Sequence, residues 1–574
     1  MKLHELRIHN YRSVADEAIR INDYSLLIGP NNSGKSNVID ALRTFYEKDL
    51  KFEPSRDFPK FDTADSESWI EVEYVLSREE AATIKPEYLI DGQRCRVRKW
   101  LFPAERAKEG IYGYEKASLS SSLFYGWKNV GQGKLGNVIY VPAVSRLEEH
   151  TKLSGPSALR DLINDILKPI IRSSKAFAEL SEQFATFGNT IKTEETPDKR
   201  SLAGLEQRIN QEIADWGAAF SFEVSCPQDD DIVKNLIRHT FANPDLNESM
   251  EASSFGHGFQ RHLIYTLLRI SATYVSPRPE PKKKEFQPDL ELLLFEEPEA
   301  FLHPPQQNLL DSSLRTLAST PHHQVIAATH SPQFVSNNTD DIADLIRLCK
   351  DGPRTLAAQV SRARLKEMFE DNQRIRELLS EPTNVFTAEE EVELENVRHF
   401  LWLNPDRCCM FFSDLVLIVE GLSEQVLINY LIRTGLTKIP KSVYVLDALG
   451  KYNIHRFMSL LSALGMRHAV LHDLDQRKTG KPKAVQDAVN ALIAASRTRN
   501  TIAVDSVPDN LESYLDVRIV NERWRASEIL FAAKSRRLKP EKLLDFVEKI
   551  EALLAPPAGE AAAKQGQRAA FSTG

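Results

Sequence analysis

Residues 29–36 constrain the fold of this chain more strongly than any other segment. They read Gly-Pro-Asn-Asn-Ser-Gly-Lys-Ser and stand between a strand-like apolar run and the segment 37–46, in which Val38, Leu42 and Phe45 share one helical face. This order of strand, glycine-rich loop and helix is typical of a P-loop, whose backbone N–H groups surround phosphates. An ordinary glycine turn is the alternative. The P-loop interpretation assigns ATP and Mg²⁺ binding to Asn31, Asn32, Gly34, Lys35 and Ser36, with Ser36 as the Mg²⁺ ligand.

Length and composition exclude a membrane protein and favour several domains. At 574 residues the chain exceeds the size at which one hydrophobic core keeps growing, so we expect at least two domains. No apolar run approaches the roughly 20 residues that span a bilayer, and the N-terminus lacks the apolar core of a secretory signal. We therefore expect a cytoplasmic protein. The net charge of −8 confines any nucleic-acid contact to a local surface, and the five cysteines have no zinc-ligand spacing.

Two further segments supply groups that ATP hydrolysis requires. The apolar run 291–295 ends in Glu296 and Glu297, so that Glu296 can hold Mg²⁺ while Glu297 polarises the attacking water. His330 follows another apolar run, from which its imidazole could reach a γ-phosphate. Taken alone, the carboxylates could be a solvated helix start and the histidine could be structural. Their order after the P-loop favours the catalytic interpretation.

These elements, in this order, resemble ABC-type ATPases of the SMC-like branch. The loop with Ser254, Gly256 and Gly258 looks like the signature loop of that family, in the variant of OLD (overcoming lysogenization defect) proteins. A flexible glycine loop is the alternative. In the family this loop closes over ATP held by a second subunit, so the resemblance implies a dimer of ATPase heads. The segment between P-loop and signature lacks sustained heptads, which disfavours a coiled-coil arm and fits a helical dimerisation insert at 151–220.

A second series of strands and helices begins at 414 and carries a cluster of acids. Glu420 ends the apolar run 415–419, Glu424 follows one helical turn later, and Asp473 and Asp475 end a later apolar run. Acidic groups gathered in one pocket repel each other, so we expect two Mg²⁺ or Mn²⁺ ions there, with Ca²⁺ as a further candidate. Any one of these acids taken alone would be interpreted as a carboxylate at a helix start or in a salt bridge.

The Val-Glu-Gly sequence ending at 421 and the later Asp-Leu-Asp resemble the Toprim fold of topoisomerases, bacterial primases and OLD nucleases. The resemblance implies metal ligands at Glu420, Glu424, Asp473, Asp475 and Glu512, of which Glu420, Asp473 and Asp475 are also the catalytic acids. Asn510 departs from the aspartate that is usual in OLD members, which puts its role as a ligand in doubt.

Basic residues near these acids are candidates for contact with a phosphate backbone. A loop after Asp475 contains Arg477, Lys478, Lys481 and Lys483, and a solvated surface loop is the alternative interpretation. In OLD-type nucleases a lysine tends to precede the final helix, and Lys539 matches it as a catalytic cation at the scissile phosphate. Lys534, Arg536 and Arg537 stand close enough in the sequence to be alternatives.

The patterns together predict an α/β chain in which an ABC/SMC-like ATPase head with a helical insert precedes a parallel-sheet Toprim domain. The predicted boundaries are 1–150 and 221–350 for the two parts of the ATPase, 151–220 for the insert, 351–410 for a connector, 411–555 for the Toprim domain and 556–574 for a disordered tail.

The resemblance implies an ATP-regulated, metal-dependent DNA endonuclease of bacterial anti-phage defence. Such a protein would be a homodimer or higher homo-oligomer, acting alone or with a helicase or a retron as partner. The sequence leaves open whether ATP activates or restrains cutting. A non-nucleolytic SMC-like ATPase that acts as a DNA clamp or sensor is the alternative. A topoisomerase or primase would require a catalytic-tyrosine or zinc module, and neither signature is visible.

Overall fold

The computed structural model describes residues 1–48, 50–102, 110–115, 118–128, 130, 135–143, 170–171, 173–216, 218–222, 241–243, 248–250, 255–274, 286, 290–336, 339–361 and 403–555. The chain divides into two compact units: Met1–Val141, Glu285–Glu299 and His303–Gly574 form the first, and Pro142–Lys284 and Ala300–Leu302 the second. Ser254, the tail at 556–574 and most of the predicted connector lie outside the described residues. None of the described helices is long and apolar enough to cross a membrane.

The strands of the described residues include the apolar runs that carry the candidate site residues. They are β1 (Lys2–Tyr11), β2 (Val14–Arg20), β3 (Tyr24–Ile28), β4 (Ser68–Val75), β5 (Arg94–Phe102), β6 (Ile111–Glu115), β7 (Ser118–Leu123), β8 (Asn137–Val141), β9 (Phe241–Asn243), β10 (Glu248–Met250), β11 (Glu291–Glu296), β12 (His323–Ala328), β13 (Leu345–Asp351), β14 (Arg354–Gln359), β15 (Leu415–Val419), β16 (Val443–Asp447), β17 (Arg467–Asp473) and β18 (Thr501–Val507).

The described α-helices vary from single turns to five turns. They are α1 (Lys35–Tyr46), α2 (Pro54–Asp57), α3 (Arg78–Ala81), α4 (Lys175–Thr193), α5 (Leu202–Ile213), α6 (His257–Tyr274), α7 (Pro304–Ala318), α8 (Pro332–Ser336), α9 (Pro405–Cys408), α10 (Leu422–Thr434), α11 (Ile454–Ala463), α12 (Gly480–Ala495), α13 (Leu511–Leu515), α14 (Arg525–Lys534) and α15 (Pro540–Leu553).

A 12-stranded sheet carries the ATPase part of the first unit, in the order β7-β6-β5-β4-β1-β2-β14-β13-β3-β12-β11-β8. The last five strands of this order pair in parallel, and β3 is buried along its whole length between β13 and β12. Parallel strands are buried on both faces, which explains why these segments are continuous apolar runs. Helix α1 follows β3, and Val38, Leu42 and Phe45 are all buried, as the helical pattern predicted.

Residues 19–29 have the alternating pattern of a single strand, but the structure divides them between two strands. The chain forms two strands, because β2 ends at Arg20 and β3 begins at Tyr24. Between them, the Asn22 backbone N–H donates to Ser25 Oγ at 3.0 Å, and its side-chain amide donates to Asp344 Oδ1 at 2.6 Å. This turn releases the chain from antiparallel pairing with β1 and directs it into the parallel part of the sheet.

Strand β14 joins the antiparallel and parallel parts of the large sheet. It pairs antiparallel with β13 and in parallel with β2, where Thr355 lies opposite Val14. Its residues fall in the range that the sequence assigned to the connector. Thr355 Oγ1 also hydrogen-bonds Ser13 Oγ at 2.7 Å, so β14 is fastened to the segment that precedes the P-loop.

The second unit contains the described part of the helical insert. Helices α4 and α5 pack against each other, and residues 194–201 separate them in the sequence. Ser201 caps α5, because its side chain accepts a hydrogen bond from the Gly204 N–H at 3.1 Å. Phe187 of α4 is 52% exposed, so an apolar surface remains uncovered within the described part of the chain.

The predicted second α/β domain is confirmed by a separate 4-stranded sheet in the order β16-β15-β17-β18, with every pairing parallel. Its core contains Leu417 and Val419 of β15 and Leu427 of α10. Phe546 and Ile550 of the final helix α15 are fully buried in the same cluster. The C-terminal helix therefore completes the core of this domain.

Arg347 links the ATPase sheet to the segment that leads into β15. It extends from β13, is 2% exposed, and donates to the backbone oxygens of Phe411 at 3.3 Å, Ser413 at 3.2 Å and Leu464 at 3.4 Å. Burial lowers the pKa of Arg347 from its usual value. A buried guanidinium satisfied by three carbonyl groups is costly to replace, because each carbonyl would lose its donor.

We expect Arg347→Met to destabilise the chain by about 2 kcal/mol, because a side chain of similar length leaves buried carbonyl oxygens without donors. Thermal unfolding should show a fall of several degrees in the apparent Tm. Arg20→Met is the matched control, since Arg20 is exposed at the end of β2. Equal Tm values for the two variants would contradict this account of the junction.

Candidate active sites

Two glycines of the P-loop lie where no other residue fits. Gly29 has φ +133°, and a Cβ there would approach Leu348 O to 2.1 Å; Gly34 has φ +107°, and a Cβ would approach Thr355 Oγ1 to 2.3 Å. Thr355 also donates to Ser33 O at 2.9 Å, so β14 contacts the loop directly through this side chain. The loop is thus held in a conformation that only glycine adopts without strain.

Lys35 lies within the P-loop with its ammonium group against backbone oxygens. Its Nζ donates to Gly29 O at 2.8 Å and to Pro30 O at 2.9 Å. Burial lowers the pKa of Lys35 to about 8, although the nearby Glu297 and Glu299 act in the opposite direction. Asn31, Asn32 and Ser36 are exposed around the mouth of the loop. This geometry fits a phosphate that would replace the carbonyl groups as partner of Lys35.

Glu296 is oriented by a tyrosine that the sequence analysis did not identify. Tyr140 at the end of β8 donates its hydroxyl to Glu296 Oε2 at 2.7 Å. The guanidinium of Arg43 lies 3.8 Å from the centre of the Tyr140 ring. Burial, followed by the bond to Glu296, raises the pKa of Tyr140, so its proton stays available for this carboxylate. Parallel pairing of β8 with β11 brings Tyr140 to Glu296, and no sequence motif indicates this pairing.

Glu297 and His330 face each other across the ends of β11 and β12. His330 Nε2 lies 3.9 Å from Glu297 Oε1, and Glu297 adopts φ 43°, an unusual value for a non-glycine residue. Burial, together with the charge of Lys35, lowers the pKa of His330 and favours the neutral imidazole. Glu299, which the sequence analysis did not identify, accepts the His330 backbone N–H at 2.6 Å. The structure therefore brings Lys35, Glu297 and His330 together.

The described part of the signature loop lies in the second unit. Gly256 is exposed, Gly258 lies in the first turn of α6, and the Gln260 N–H donates to Gly256 O at 3.2 Å. Ser254 is outside the described residues. The assignment of this loop to ATP stays a prediction.

The acids of the second domain meet where the order of its strands changes direction. From β15 the chain continues to β16 on one side of that strand, whereas β17 lies on its other side. In a parallel sheet such a change of direction leaves a crevice at the carboxyl ends of the two strands, here β15 and β17. Glu420 follows β15, and its Oε2 accepts the backbone N–H of Asp473 at 3.2 Å. Glu424 begins α10 and accepts the Gly421 N–H at 3.1 Å. Topology thus gathers acids that lie more than fifty residues apart.

The positive charge near these carboxyl groups does not offset the effect of their burial on their pKa values. Glu424 and Asp473 are each 5% exposed. Burial raises the pKa of Glu424 to about 7, and the negative charge of Glu420 acts in the same direction. Burial also raises the pKa of Asp473, with further repulsion from Glu420 and Glu424, and raises the pKa of Glu420 itself. Buried acids that repel each other in this way are stabilised when a cation joins them.

Three basic side chains lie against the remaining acids. Lys451 Nζ is 3.0 Å from Asp475 Oδ2 and Lys478 Nζ is 2.9 Å from Asp475 Oδ1. Partial burial alone would raise the pKa of Asp475, but the hydrogen bonds from both lysines lower it. Arg525 Nε donates to Glu512. Neither Lys451 nor Arg525 was identified from the sequence, because no motif marks them.

The donor chemistry of the acid cluster fits a divalent ion. All candidate ligands are carboxylates, which Mg²⁺ and Mn²⁺ prefer, and most of them are buried. Within the ranges that the structure describes, no three acidic, histidine or cysteine side chains yet converge as ligands of one ion would. Glu420, Glu424, Asp473, Asp475 and Glu512 are the residues that would hold ions, after their side chains turn from the basic partners.

Asn510 and Lys539 have local partners in the structure. Asn510 caps α13, since its Oδ1 accepts the Ser513 N–H at 2.9 Å. Lys539 is 55% exposed in its side chain and pairs with Asp516, which is also exposed. The catalytic role of Lys539 stays a prediction.

The fold and these groups define an α/β ATPase domain followed by a domain with an acidic, metal-binding type of site. The family model described as "AAA domain, putative AbiEii toxin, Type IV TA system" matches residues 25–336, more than half of the chain. The model described as "Overcoming lysogenization defect protein-like, TOPRIM domain" matches residues 411–475. The chain belongs to the family of this AAA-domain model, and an OLD-like Toprim domain follows the ATPase domain. The predicted fold class is confirmed.

Similar proteins match this chain over most of their length. The Old nuclease of Escherichia phage P2 is 26% identical over 505 residues, which are 83% of this chain and 77% of the relative. The OLD nuclease of Thermus scotoductus is 21% identical over 96% of this chain and 99% of its own. Endonuclease GajA of Bacillus cereus (strain VD045) is 20% identical over 91% and 84%, respectively. These relatives are named as nucleases, and the two domains that this chain shares with the family models imply use of nucleotide and of a divalent metal.

We expect Mn²⁺ affinity to increase between about pH 6 and about pH 8, because Glu424 must lose its proton to bind metal and its pKa is about 7. The folded-state pKa is raised, so the protonated carboxyl stabilises the metal-free fold at low pH, and this contribution is lost as pH rises through about 7. Calorimetric Mn²⁺ titrations and metal-free Tm values across this range would test both effects.

Glu424→Gln should weaken Mn²⁺ binding and reduce the loss of metal-free Tm with pH. Glu541→Gln provides a matched control, since Glu541 is exposed at the start of α15. A wild-type Mn²⁺ affinity that does not change with pH would contradict the buried, protonated state of Glu424.

Proposed function

We propose that this chain is a DNA endonuclease that hydrolyses phosphodiester bonds at its Toprim acids, and that ATP regulates the cutting. The observation that carries the proposal is the position of Glu420, Glu424 and Asp473 at the carboxyl ends of two parallel strands, where Glu420 accepts the Asp473 backbone N–H at 3.2 Å and the three carboxyl groups repel one another. Two bound Mg²⁺ or Mn²⁺ ions would activate a water molecule and stabilise the leaving oxygen. The acids would then act as ligands, and no protein nucleophile is required.

The rim of the crevice offers basic groups to the phosphate backbone. Arg477 is 75% exposed in its side chain and Lys478 is 45% exposed, and both lie within three residues after the acid Asp475. Their charges lie next to the acids and extend into solvent, although the chain as a whole is acidic. A local basic rim of this kind supports contact with the sugar-phosphate backbone rather than with particular bases.

Regulation by ATP is supported by a direct contact between the two parts of the first unit. The His330 ring centre lies 6.3 Å from that of Phe412, which ends a 3-10 turn leading into β15. Helix α8, which follows His330, packs against α9 just before this turn. A shift of His330 toward a γ-phosphate would therefore act on Phe412, and through β15 on Glu420. Arg347 holds the same turn by its carbonyl oxygens.

Partners and biological role follow from the family and from exposed surfaces. We propose a homodimer or higher homo-oligomer through the ATPase heads and the helical insert, where Phe187 and Leu205 are 52% and 46% exposed. A cytoplasmic role in anti-phage defence, alone or with a helicase or retron partner, is proposed from the family resemblance.

Plasmid cleavage tests the nuclease. We expect wild-type protein to cut supercoiled DNA with Mg²⁺ or Mn²⁺, and Glu420→Gln to lower the rate by at least about 100-fold, because a metal ligand is lost. Glu541→Gln should cut normally. Equal cutting by Glu420→Gln would disprove the Toprim site. Nucleotide-dependent DNA binding without any cleavage would instead support the clamp or sensor.

The response of cutting to ATP tests the contact at Phe412. Lys35→Ala should abolish any difference between rates with and without ATP, because nucleotide binding is lost. Phe412→Leu should still bind and hydrolyse ATP but should respond much less to it, since the leucine side chain lacks the ring that meets His330. Measurement of ATP hydrolysis and plasmid cleavage on the same samples separates these outcomes. A Phe412→Leu protein with the full wild-type response would exclude this route.

A further inference from the structure

Arg525 joins two acids of the candidate metal centre that come from different elements. Its Nε donates to Glu512 on α13, and its Nη2 lies 3.9 Å from Asp473 Oδ2 at the end of β17. Both acids are buried, at 7% and 5% exposure, whereas the Arg525 side chain is 34% exposed. The guanidinium therefore enters the acid cluster from its solvent side.

The backbone fixes the position from which Arg525 acts. It is the first residue of α14, which packs along α10, the helix that carries Glu424 in its first turn. The charge of Arg525 favours the ionised forms of Glu420, Glu424 and Asp473. One cation of the chain thus acts on three acids near the crevice, besides its direct partner Glu512.

A guanidinium and a metal ion cannot occupy this place together. Carboxylate oxygens bind Mg²⁺ at about 2.1 Å and accept from a guanidinium at about 2.8 Å, so the planar group keeps two acids further apart than an ion does. A divalent ion also supplies twice the charge in a smaller volume. Removal of Arg525 from Glu512 and Asp473 is therefore part of the free-energy change of ion binding.

We propose that Arg525 is an internal counter-ion that holds the metal-free acid cluster and that a divalent ion must displace. The inference rests on the metal site of the proposed function and adds a positioning residue to it. Wild-type protein then binds ions more weakly than its acids alone would, because displacement of Arg525 opposes binding. Loading of the nuclease site consequently depends on the concentration of free divalent ion.

Mn²⁺ titration of full-length variants without nucleotide tests the proposal. We expect Arg525→Gln to bind Mn²⁺ about tenfold more tightly than wild type and to have a lower metal-free Tm, because competition and charge compensation are both lost. Arg525→Lys, which keeps the charge but loses the planar fork, should lie between them. Arg523→Gln is the control, since Arg523 is an exposed neighbour. A double variant that combines Arg525→Gln with Glu420→Gln shows which part of the Mn²⁺ binding signal comes from this site.

Unchanged or weaker Mn²⁺ binding in Arg525→Gln would overturn the proposal, because a merely structural arginine cannot compete with the ion. A second measurement uses wild-type protein and does not depend on variant folding. Reaction with phenylglyoxal, mapped by mass spectrometry, should increase at Arg525 when Mn²⁺ is added and stay constant at Arg523. No increase at Arg525 with saturating Mn²⁺ would also overturn it.

The outcome is separable from that of the nuclease test. Wild-type cleavage that requires Glu420, together with unchanged Mn²⁺ affinity in Arg525→Gln, would overturn the counter-ion and leave the nuclease intact. Tighter Mn²⁺ binding in Arg525→Gln, without cleavage by wild type under any condition, would support the counter-ion and overturn the nuclease.

Discussion

Parallel pairing of buried strands is the constraint on which both candidate sites depend. In the large sheet, β3, β11 and β12 run in the same direction, so the P-loop, the paired glutamates and His330 all leave the sheet at one edge. In the small sheet the same rule brings the acids after β15 to those at the end of β17. The apolar residues that bury these strands thereby also determine where the polar groups meet.

Both sites contain charges that their surroundings do not fully compensate. Burial lowers the pKa of Lys35 and raises that of Glu424, so each group is held in an environment that disfavours its ionised form. The chain supplies provisional partners, carbonyl oxygens for Lys35 and Arg525 for Glu512. Phosphate and a divalent ion would be stronger partners for the same groups, so the proposed ligand binding would replace internal contacts in each case.

The junction between the two domains gives this arrangement its regulatory potential. Arg347 holds the segment before β15 through the backbone oxygens of Phe411 and Ser413, while His330 meets Phe412 in the same segment. A histidine placed to contact nucleotide and an arginine that fixes the adjacent turn therefore act on the strand that ends at Glu420. The proposed link between nucleotide state and cutting rests on packing within one unit.

The sequence by itself determined the motifs and the order of the elements, because each strand, glycine loop and helix has a local pattern that its own residues produce. Only the tertiary structure decided the contacts between distant segments: Tyr140 with Glu296, Arg525 with Glu512, and Thr355 beneath Gly34. Isolated residues of these types have no periodic or spacing signal. Their roles arise from strand register and helix packing, which bring together residues that lie as many as 322 positions apart in the sequence.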